Sequence, residues 1–301
     1  MRVLIVGCGY SGIPLGAELV RRGHQVWGLR RSTTAIPAGS GMVPLSADIT
    51  NPKEIESLPG PFDWVVNTVS SGGGDAADYE RVYLQGTRNL VAALAPLGIK
   101  KYLHISSTSV YGQNDGSLVK ESSPAEPLTE TGKVLLATES DLLEAFTGAG
   151  FPVVILRLAG IYGPGRTRLL HKYMRNEARI PGKGEGLLNM IHLEDVVGVA
   201  FAALKSARPG EIYNGVDDEP VAEVHFFRWL SESLGKWMPP FEEADEAGVR
   251  KRGVTRKKVS NRKLKMELGY EFKHPTFRQG YTAEIRRLEQ LGELNILPDP
   301  R

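Results

Sequence analysis

Residues 1–12 read MRVLIVGCGYSG and carry the pattern Gly-x-Gly-x-x-Gly at Gly7, Gly9 and Gly12. The apolar run over residues 2–6 predicts a buried strand, and the apolar spacing over 13–22 predicts a helix directly after the glycines. In such a unit the first glycine makes a tight turn, the second lets the backbone approach a pyrophosphate, and the third packs helix against strand. We therefore predict a dinucleotide-binding loop that consists of Gly7, Cys8, Gly9, Tyr10, Ser11 and Gly12.

The chain beyond this loop continues to alternate strands with helices. Further strands are predicted over residues 25–29, 42–45, 64–69, 101–106 and 152–158, and helices over 79–95 and 132–149. Strands that alternate with helices form a parallel sheet with helices on both faces. The predicted fold class is therefore α/β, with a Rossmann-type doubly wound parallel sheet.

The pattern changes after Gly160, where Gly- and Pro-rich stretches over 163–165 and 181–186 interrupt the alternation. A helical run over 194–206 and a short strand over 211–214 then return to the sheet. We predict a dinucleotide-binding domain of residues 1–160 and 190–215. A smaller C-terminal substrate-binding domain is predicted over residues 161–189 and 216–301. The basic stretch 251–265 contains interleaved apolar residues, which favours a solvated surface over a nucleic-acid-binding arm.

The residues after the second strand bear on the choice of cofactor. An NAD-selective protein places an acid there, about 20 residues beyond the glycines. This chain has Arg30 and Arg31 instead, and guanidinium groups suit a 2′-phosphate. We therefore predict NADP, with NAD the less favoured cofactor; the alternative is a pair of solvated arginines. Asp48, followed by Ile49, is a candidate for contact with the adenine, or else a helix cap or turn residue.

Composition excludes several classes of function. The 301 residues include 37 basic and 35 acidic side chains, so the net charge of +2 gives no overall field for nucleic acid or an anionic membrane. No uncharged apolar run reaches the length of a membrane span. Cys8 is the single cysteine, which is compatible with a reducing compartment, and we expect a cytoplasmic protein. The spacing of His, Asp and Glu indicates no metal site.

Residues 105–112, ISSTSVYG, carry a resemblance to a known family. Together with the glycine loop, residues 86–90 (GTRNL), 162–165 (YGPG) and 191–196 (IHLEDV), they resemble the extended short-chain dehydrogenase/reductases, the NAD(P)-dependent epimerase/dehydratase superfamily. The resemblance implies that Ser107 hydrogen-bonds the reacting oxygen of a small-molecule substrate. It also implies a homodimer through the helices over 79–95 and 132–149, and a structural hydrogen bond for His192.

The resemblance fails at the expected catalytic Tyr-x-x-x-Lys pair, which aligns with Thr131 and Leu135. None of the ten tyrosines has Lys at the fourth following position. Thr131 can serve only as a hydrogen-bond donor. Lys133, with Glu130, is a candidate acid or base if the loop before the helix bends inward. The leading candidate for the general acid is Tyr111, since relatives that share this segment place it near the nicotinamide. The alternative role for Tyr111 is packing. The alternative role for Ser107 is that of a residue that satisfies a turn.

Five basic or potentially basic groups lie within residues 166–175, and a solvated helix face explains most of them. We single out Arg166 as a candidate ligand of an anionic substrate. The predicted function is NAD(P)-dependent hydride transfer on a hydroxyl or carbonyl carbon of a polar small molecule, with a sugar nucleotide as one candidate. The alternatives are a non-catalytic NADP(H)-binding sensor and a non-redox isomerase or lyase.

Overall fold

A seven-stranded parallel sheet forms the centre of the molecule, a computed structural model in which residues 1–243 and 256–298 are described. The strands are β1 (Arg2–Val6), β2 (Gln25–Arg30), β3 (Val43–Ser46), β4 (Trp64–Asn67), β5 (Lys101–Ser107), β6 (Val153–Leu158) and β7 (Ile212–Gly215). Their order across the sheet is β7-β6-β5-β4-β1-β2-β3, and every neighbouring pair is parallel. This confirms the predicted Rossmann-type sheet.

Helices cover both faces of the sheet. They are α1 (Gly12–Arg21), α2 (Pro52–Glu56), α3 (Ala76–Tyr79), α4 (Gly86–Leu94), α5 (Glu130–Ala149), α6 (Arg168–Met174), α7 (Leu193–Ser206), α8 (Glu223–Leu234), α9 (Arg262–Leu268) and α10 (Phe277–Gln290). Buried residues of α1, α7 and α9 share one hydrophobic core with the sheet, and those of α2, α4 and α5 share a second. The sheet order reverses between β1 and β4, so a crevice opens at the carboxyl ends of these strands.

A third hydrophobic cluster is built from residues that follow β6. It combines α6, α8 and α10 around the fully buried side chains Leu170, Phe226 and Phe277. Two short strand pairs also involve residues after β6: Gly160–Tyr162 pairs with Met190–His192, and Lys258–Val259 pairs with Leu118–Val119, which precedes α5. Of the predicted substrate-binding domain, residues 244–255 and 299–301 lie outside the described part of the chain.

Helix boundaries differ from the predicted ones where capping side chains extend the helices. Helix α5 begins two residues before the predicted start, because Thr129 accepts a hydrogen bond from the Gly132 N–H at 3.1 Å. The predicted helix over 79–95 begins at α3, where Asp75 accepts from the Asp78 N–H, and continues through a π-helical segment over Glu80–Gln85. Within the described ranges, no helix is both long and apolar enough to cross a membrane.

The turn from β1 into the glycine loop depends on backbone that only glycine adopts easily. Gly7 has φ +87°, and a Cβ there would lie 2.7 Å from the Val69 Cα. Gly23, at the end of α1, has a similar φ of +82° but nothing within 4 Å of its Cβ position. The two positions share the backbone strain and differ in the steric clash.

We expect Gly23→Ala to lower the free energy of unfolding by about 1 kcal/mol, through backbone strain alone. Gly7→Ala should cost about 1–3 kcal/mol more, because the new methyl group meets backbone that cannot move cheaply. Urea unfolding of both variants beside the wild type measures the difference. Equal losses would show that the backbone of Thr68 and Val69, directly after β4, moves to accept the added methyl group without cost.

Candidate cofactor and active site

The glycine loop forms a cradle at the carboxyl edge of β1. The Gly9 N–H donates to the Gly7 carbonyl at 2.7 Å, and a Cβ on Gly9 would have the Gly7 oxygen, at 4.0 Å, as its nearest neighbour. A Cβ on Gly12 would lie 2.5 Å from the same oxygen, so α1 packs directly on the loop. The first turn of α1 contains no acid. Open space over Gly9 and an amino-terminal helix end without negative charge fit a dinucleotide pyrophosphate.

The other loop residues differ in exposure. Cys8 is 1% exposed, and burial raises the pKa of its thiol to about 11, so it is no nucleophile at neutral pH. Burial also raises the pKa of Tyr10 to about 12. The Tyr10 ring points to the second half of the chain, where a Cβ on Gly163 would lie 3.3 Å from its hydroxyl. Ser11 precedes α1 without a side-chain capping bond, so its hydroxyl makes no cap.

Arg30 and Arg31 have different environments. The Arg30 guanidinium donates to the Cys8 carbonyl at 2.9 Å and is therefore held beside the glycine loop. Arg31 is exposed, and its carbonyl accepts from the Ser46 hydroxyl at 3.1 Å. Arg30 thus lies at the end of β2, where the ribose of a dinucleotide bound on this loop would be expected.

Asp48 and Ile49 follow β3 and have local partners. Asp48 Oδ1 accepts from the Thr50 N–H and hydroxyl at 2.9 and 2.8 Å. Burial alone would favour the neutral acid, but these hydrogen bonds lower the pKa of Asp48. The Ile49 side chain is 6% exposed and packs against Gly86, where a Cβ would lie 2.6 Å from the Ile49 Cδ1. Asp48 Oδ1 therefore makes the contacts of a turn residue, while its contact with the adenine stays a prediction, and the Ile49 side chain belongs to the core.

Ser107 ends β5 at the same edge of the sheet as the glycine loop. It pairs in register with Leu158, the last residue of β6, and its hydroxyl accepts from the Ser109 N–H at 3.2 Å. Its side chain is half-buried, and among the described residues the hydroxyl makes only this bond as an acceptor, so its hydrogen remains available to donate. The structure therefore places the predicted hydrogen-bonding serine at the same edge of the sheet as the predicted cofactor cradle, with β4 between the two strands.

Tyr111, by contrast, belongs to a buried polar network. Its hydroxyl accepts from Arg157 at 2.8 Å and donates to Asn214 Oδ1 at 2.9 Å, and the side chain is 1% exposed. Burial raises the pKa of Tyr111, although the Arg157 guanidinium opposes the shift. The hydroxyl hydrogen is already engaged, so the geometry corresponds to the packing alternative for Tyr111 rather than to the general acid.

The same network contains a buried ion pair that links three elements. Arg157 on β6 makes a bidentate contact with Glu139 on α5, with its shortest N–O distance at 2.6 Å, and both side chains are at most 4% exposed. The Ser106 hydroxyl donates to the same carboxylate. Ser106 and Arg157 are adjacent in sequence to Ser107 and its register partner Leu158, so this network holds the ends of β5 and β6 in place.

The positions aligned with the missing catalytic pair offer no strong acid or base. The Thr131 hydroxyl lies 3.3 Å from that of Thr129, within the cap of α5. Leu135 is 5% exposed and packs in the core. Lys133 pairs with Glu130 at 2.7 Å, and both side chains are more than half exposed. The structure therefore leaves Lys133 and Glu130 in solvent rather than turned inward.

Arg166 connects the glycine loop to a basic cavity. Its guanidinium lies 5.2 Å from the centre of the Tyr10 ring. It also lines an open cavity of about 340 Å³ together with Gly165, Thr167, Arg168, His171, Lys172, Arg175 and Glu177. The predicted basic cluster thus lines an open concave surface, and Arg166 connects it to Tyr10 of the glycine loop.

His192 and Asp195 hold the junction between the two parts of the chain. His192 Nδ1 accepts from the Glu194 N–H at 3.3 Å and so caps α7, as the resemblance implies. Asp195 accepts from the Lys273 and His274 N–H groups at 2.7 and 3.0 Å. Side-chain ligand atoms of His192, Glu194 and His274 lie within 4.8 Å of one another, a grouping that residue spacing did not indicate. Within the grouping, His192 Nδ1 caps α7 and His274 Nε2 lies 3.7 Å from the Glu194 carboxylate.

Two further residues at this edge escaped the sequence analysis. The Thr68 hydroxyl donates to the Gly7 carbonyl at 2.6 Å and ties β4 to the glycine loop. A polar pair, Asn67 and Thr68, directly after an apolar run was the available signal. Lys257 is 4% exposed and donates to the Tyr111 carbonyl at 2.6 Å. The prediction of a solvated basic surface over 251–265 is therefore wrong at Lys257, because the apolar neighbour Val259 draws this segment into the core; residues 251–255 lie outside the described ranges.

The geometry agrees with comparisons to known proteins. The sequence profile described as the NAD dependent epimerase/dehydratase family matches residues 3–214. The chain belongs to the NAD dependent epimerase/dehydratase family. This confirms the resemblance inferred from the glycine loop and the ISSTSVYG segment, and members of this family are NAD-dependent.

Relatives cover almost the whole chain. Protein YeeZ of Escherichia coli K12 is 31% identical over 281 residues, which are 91% of this chain and 96% of that protein. The structure of a conserved protein of unknown function from Silicibacter pomeroyi is 28% identical, with a TM-score of 0.77 and coverage of 95% and 98%. DesIV of Streptomyces venezuelae, a dTDP-glucose 4,6-dehydratase solved with NAD bound, has a TM-score of 0.82 over 96% and 97% of the chains. Its identity of 22% shows the shared epimerase/dehydratase fold alone.

Removal of the buried Arg157 on β6 should be far more costly than removal of the exposed Arg88 on α4. In Arg157→Met the Glu139 carboxylate stays buried without its partner, and we expect a loss of about 3–5 kcal/mol in unfolding free energy. Arg88 pairs with Asp141 on the surface of α4 and α5 at 2.6 Å and is the matched control. Arg88→Met should cost at most about 1 kcal/mol. Thermal and urea unfolding compare the two variants; similar losses would contradict the structural role of the buried pair.

Proposed function

We propose that the protein is an NADP-dependent oxidoreductase that acts on a hydroxyl or carbonyl carbon of an anionic small molecule, with sugar nucleotides as the favoured class. The observation that carries the proposal is the arrangement at one edge of the sheet. The glycine cradle, Arg30 and the half-buried Ser107 hydroxyl all lie at the carboxyl ends of β1, β2 and β5. Ligands of doubly wound sheets bind at this edge, where the strand order reverses.

The cofactor, when bound, supplies or accepts the hydride. The residues of the chain hold and orient the reactants. The space over Gly9 and the N–H groups at the start of α1 bind the pyrophosphate. The Ser107 hydroxyl donates its free hydrogen to the reacting oxygen and stabilises the charge that develops there. Its own orientation is fixed by the Ser109 N–H.

Arg30 supports the preference for NADP. Its guanidinium is held by the Cys8 carbonyl, and no carboxylate forms an ion pair with it within the described residues. A fixed, unneutralised guanidinium offers several donors to a 2′-phosphate. The family is described as NAD-dependent, so a preference for NADP must come from residues of this chain. We assign that preference to Arg30 and, because its charge is exposed, to Arg31.

The basic cavity supports an anionic substrate. Four cationic side chains and one histidine line it against a single acid, Glu177. Its volume of about 340 Å³ can hold a diphosphate group. Arg166, stacked on Tyr10, brings this cavity to the border of the cofactor loop. DesIV, which shares this fold, is a dTDP-glucose 4,6-dehydratase. The favoured substrate class is therefore a sugar nucleotide whose diphosphate lies in this cavity.

The second candidate is a sensor that binds NADP(H) without chemistry. Thr131, Leu135 and the engaged hydroxyl of Tyr111 favour it, because none of them is a ready proton donor. The two candidates make different demands on Ser107. A reductase needs its hydroxyl for turnover, whereas a sensor needs only the cradle.

Ser107→Ala separates these functions. Purified protein with NADPH and a panel of keto-sugar nucleotides should oxidise the cofactor in the wild type. We expect the variant to lose 10²–10³-fold in kcat/KM, about the effect of removing one donor to a developing oxyanion. Its affinity for NADPH should stay within about twofold, because the cradle is intact. Tight NADPH binding with no oxidation by any compound would favour the sensor.

Arg30→Asp tests the cofactor assignment. Loss of charge-assisted hydrogen bonds to the 2′-phosphate should weaken NADPH binding at least about 10-fold relative to NADH. The ratio of the two dissociation constants is the readout, since any disturbance of the loop affects both cofactors alike. Lys53→Asp, on the exposed surface of α2, is the charge-matched control. An unchanged ratio in Arg30→Asp would refute the role of Arg30 in selectivity.

A further inference from the structure

Lys257 is a buried lysine with an unusually poor set of partners. Three described lysines are 9% exposed or less, namely Lys101, Lys236 and Lys257. Lys101 donates to the Ala203 and Ala207 carbonyls, and Lys236 donates to Asn176 Oδ1 and the Leu297 carbonyl. Among the described residues, Lys257 has one hydrogen-bond acceptor, the Tyr111 carbonyl at 2.6 Å. An ammonium has three donors, so two remain available for a further partner.

The hydrogen bonds around Lys257 place it at the same edge of the sheet as Ser107. Its carbonyl accepts from the Asn189 side chain at 3.0 Å, and the Asn189 carbonyl accepts from the Gly160 N–H at 3.0 Å. Gly160 follows Leu158, the register partner of Ser107, by two residues. The Lys257 ammonium in turn donates to the carbonyl of Tyr111, four residues after Ser107. Lys257 is thus bonded directly to the segment that follows β5 and, through Asn189, to the segment that follows β6.

Within residues 1–243 and 256–298, no carboxylate forms an ion pair with this ammonium. The charged groups of the surrounding elements are engaged elsewhere: Arg256 lies 3.3 Å from Glu185, Arg157 holds Glu139, and Glu121 accepts from the Asn214 N–H. Burial is therefore what lowers the pKa of Lys257, to about 8. A buried, singly bonded cation destabilises the fold, so packing alone does not account for it.

We propose that Lys257 is the catalytic acid of this site and gives a proton to the substrate oxygen that Ser107 binds. The inference rests on the proposed oxidoreductase function. In the reduction of a carbonyl by NADPH, the hydride forms a new C–H bond and the carbonyl π pair moves onto oxygen. That oxygen takes a proton from Lys257 Nζ as the N–H bond breaks, which gives an alcohol, NADP⁺ and a neutral amine. Water then returns the proton to the amine.

The first test follows the charge of Lys257 without turnover. Reductive methylation with [13C]formaldehyde labels the lysines, and the signal absent from Lys257→Arg is that of Lys257. We expect this signal to titrate near pH 8, as the burial implies, against about 10.4 for exposed lysines. Exchange of bound NADPH for NADP⁺ adds a positive charge to the nicotinamide ring. If Lys257 lies beside that ring, its midpoint should fall by about 0.5–1 pH unit.

Lys101 is the matched internal control for this measurement. It is buried and bonded to carbonyl groups like Lys257, but it begins β5 and so lies at the opposite edge of the sheet. Its signal, assigned with Lys101→Arg, should not respond to the redox state of the cofactor. A Lys257 midpoint that is equal in the two complexes would overturn the inference and leave the proposed function intact. Failure to bind either cofactor would overturn both.

The second test is the pH profile of carbonyl reduction. The wild type should lose kcat/KM as pH rises through about 8, because the acid must be protonated to donate. Lys257→Arg keeps the charge but holds its proton too tightly to donate it. We expect a loss of at least about 100-fold and no descending limb near pH 8, with unchanged NADPH affinity. Rescue by Lys257→Arg would show a purely structural role. Lys101→Met, the control, should keep the wild-type profile.

Discussion

The buried pair between Glu139 and Arg157 sets the geometry on which the candidate site depends. A carboxylate without access to water must keep its partner, so α5 cannot shift against β6 without a large cost. Ser106 donates to the same carboxylate and therefore faces α5. Successive side chains of a strand point to opposite faces, so Ser107 must turn away from that network. The direction of the Ser107 hydroxyl thus follows from an ion pair that it does not touch.

Local charge at this edge contrasts with the nearly neutral chain. The net charge of +2 creates no strong overall field. Yet Arg30 beside the glycine loop, Arg166 above Tyr10 and the basic cavity beyond them form a series of cations from one end of the site to the other. Of the acids near the site, Asp48 and Glu139 are held by hydrogen bonds or by an arginine, and Glu177 lines the basic cavity. Both a dinucleotide and a diphosphate substrate would therefore meet positive charge.

The parts of the fold that sequence predicted well are those specified by neighbours in the chain. The turn at Gly7, the strand before it and the helix after it form one local unit, and strand positions follow from apolar runs. The contacts of Tyr111 come from Arg157, 46 residues away, and from Asn214, 103 residues away. No local pattern reports whether a tyrosine hydroxyl meets solvent or an arginine at such separations. The resemblance made Tyr111 the leading candidate for the general acid, and the packing alternative could not be preferred over it from local sequence.

Lys257 shows the same limit in a different form. Its segment is basic, and a basic segment usually remains in solvent because desolvation of an ammonium is costly. Pairing of Lys258–Val259 with Leu118–Val119 buries Val259 and carries the neighbouring lysine inward. A proton donor works best when its pKa lies near the working pH, and burial moves a lysine in that direction. The burial of the Lys257 ammonium therefore destabilises the fold and, by lowering the pKa of the side chain, would suit it to proton transfer.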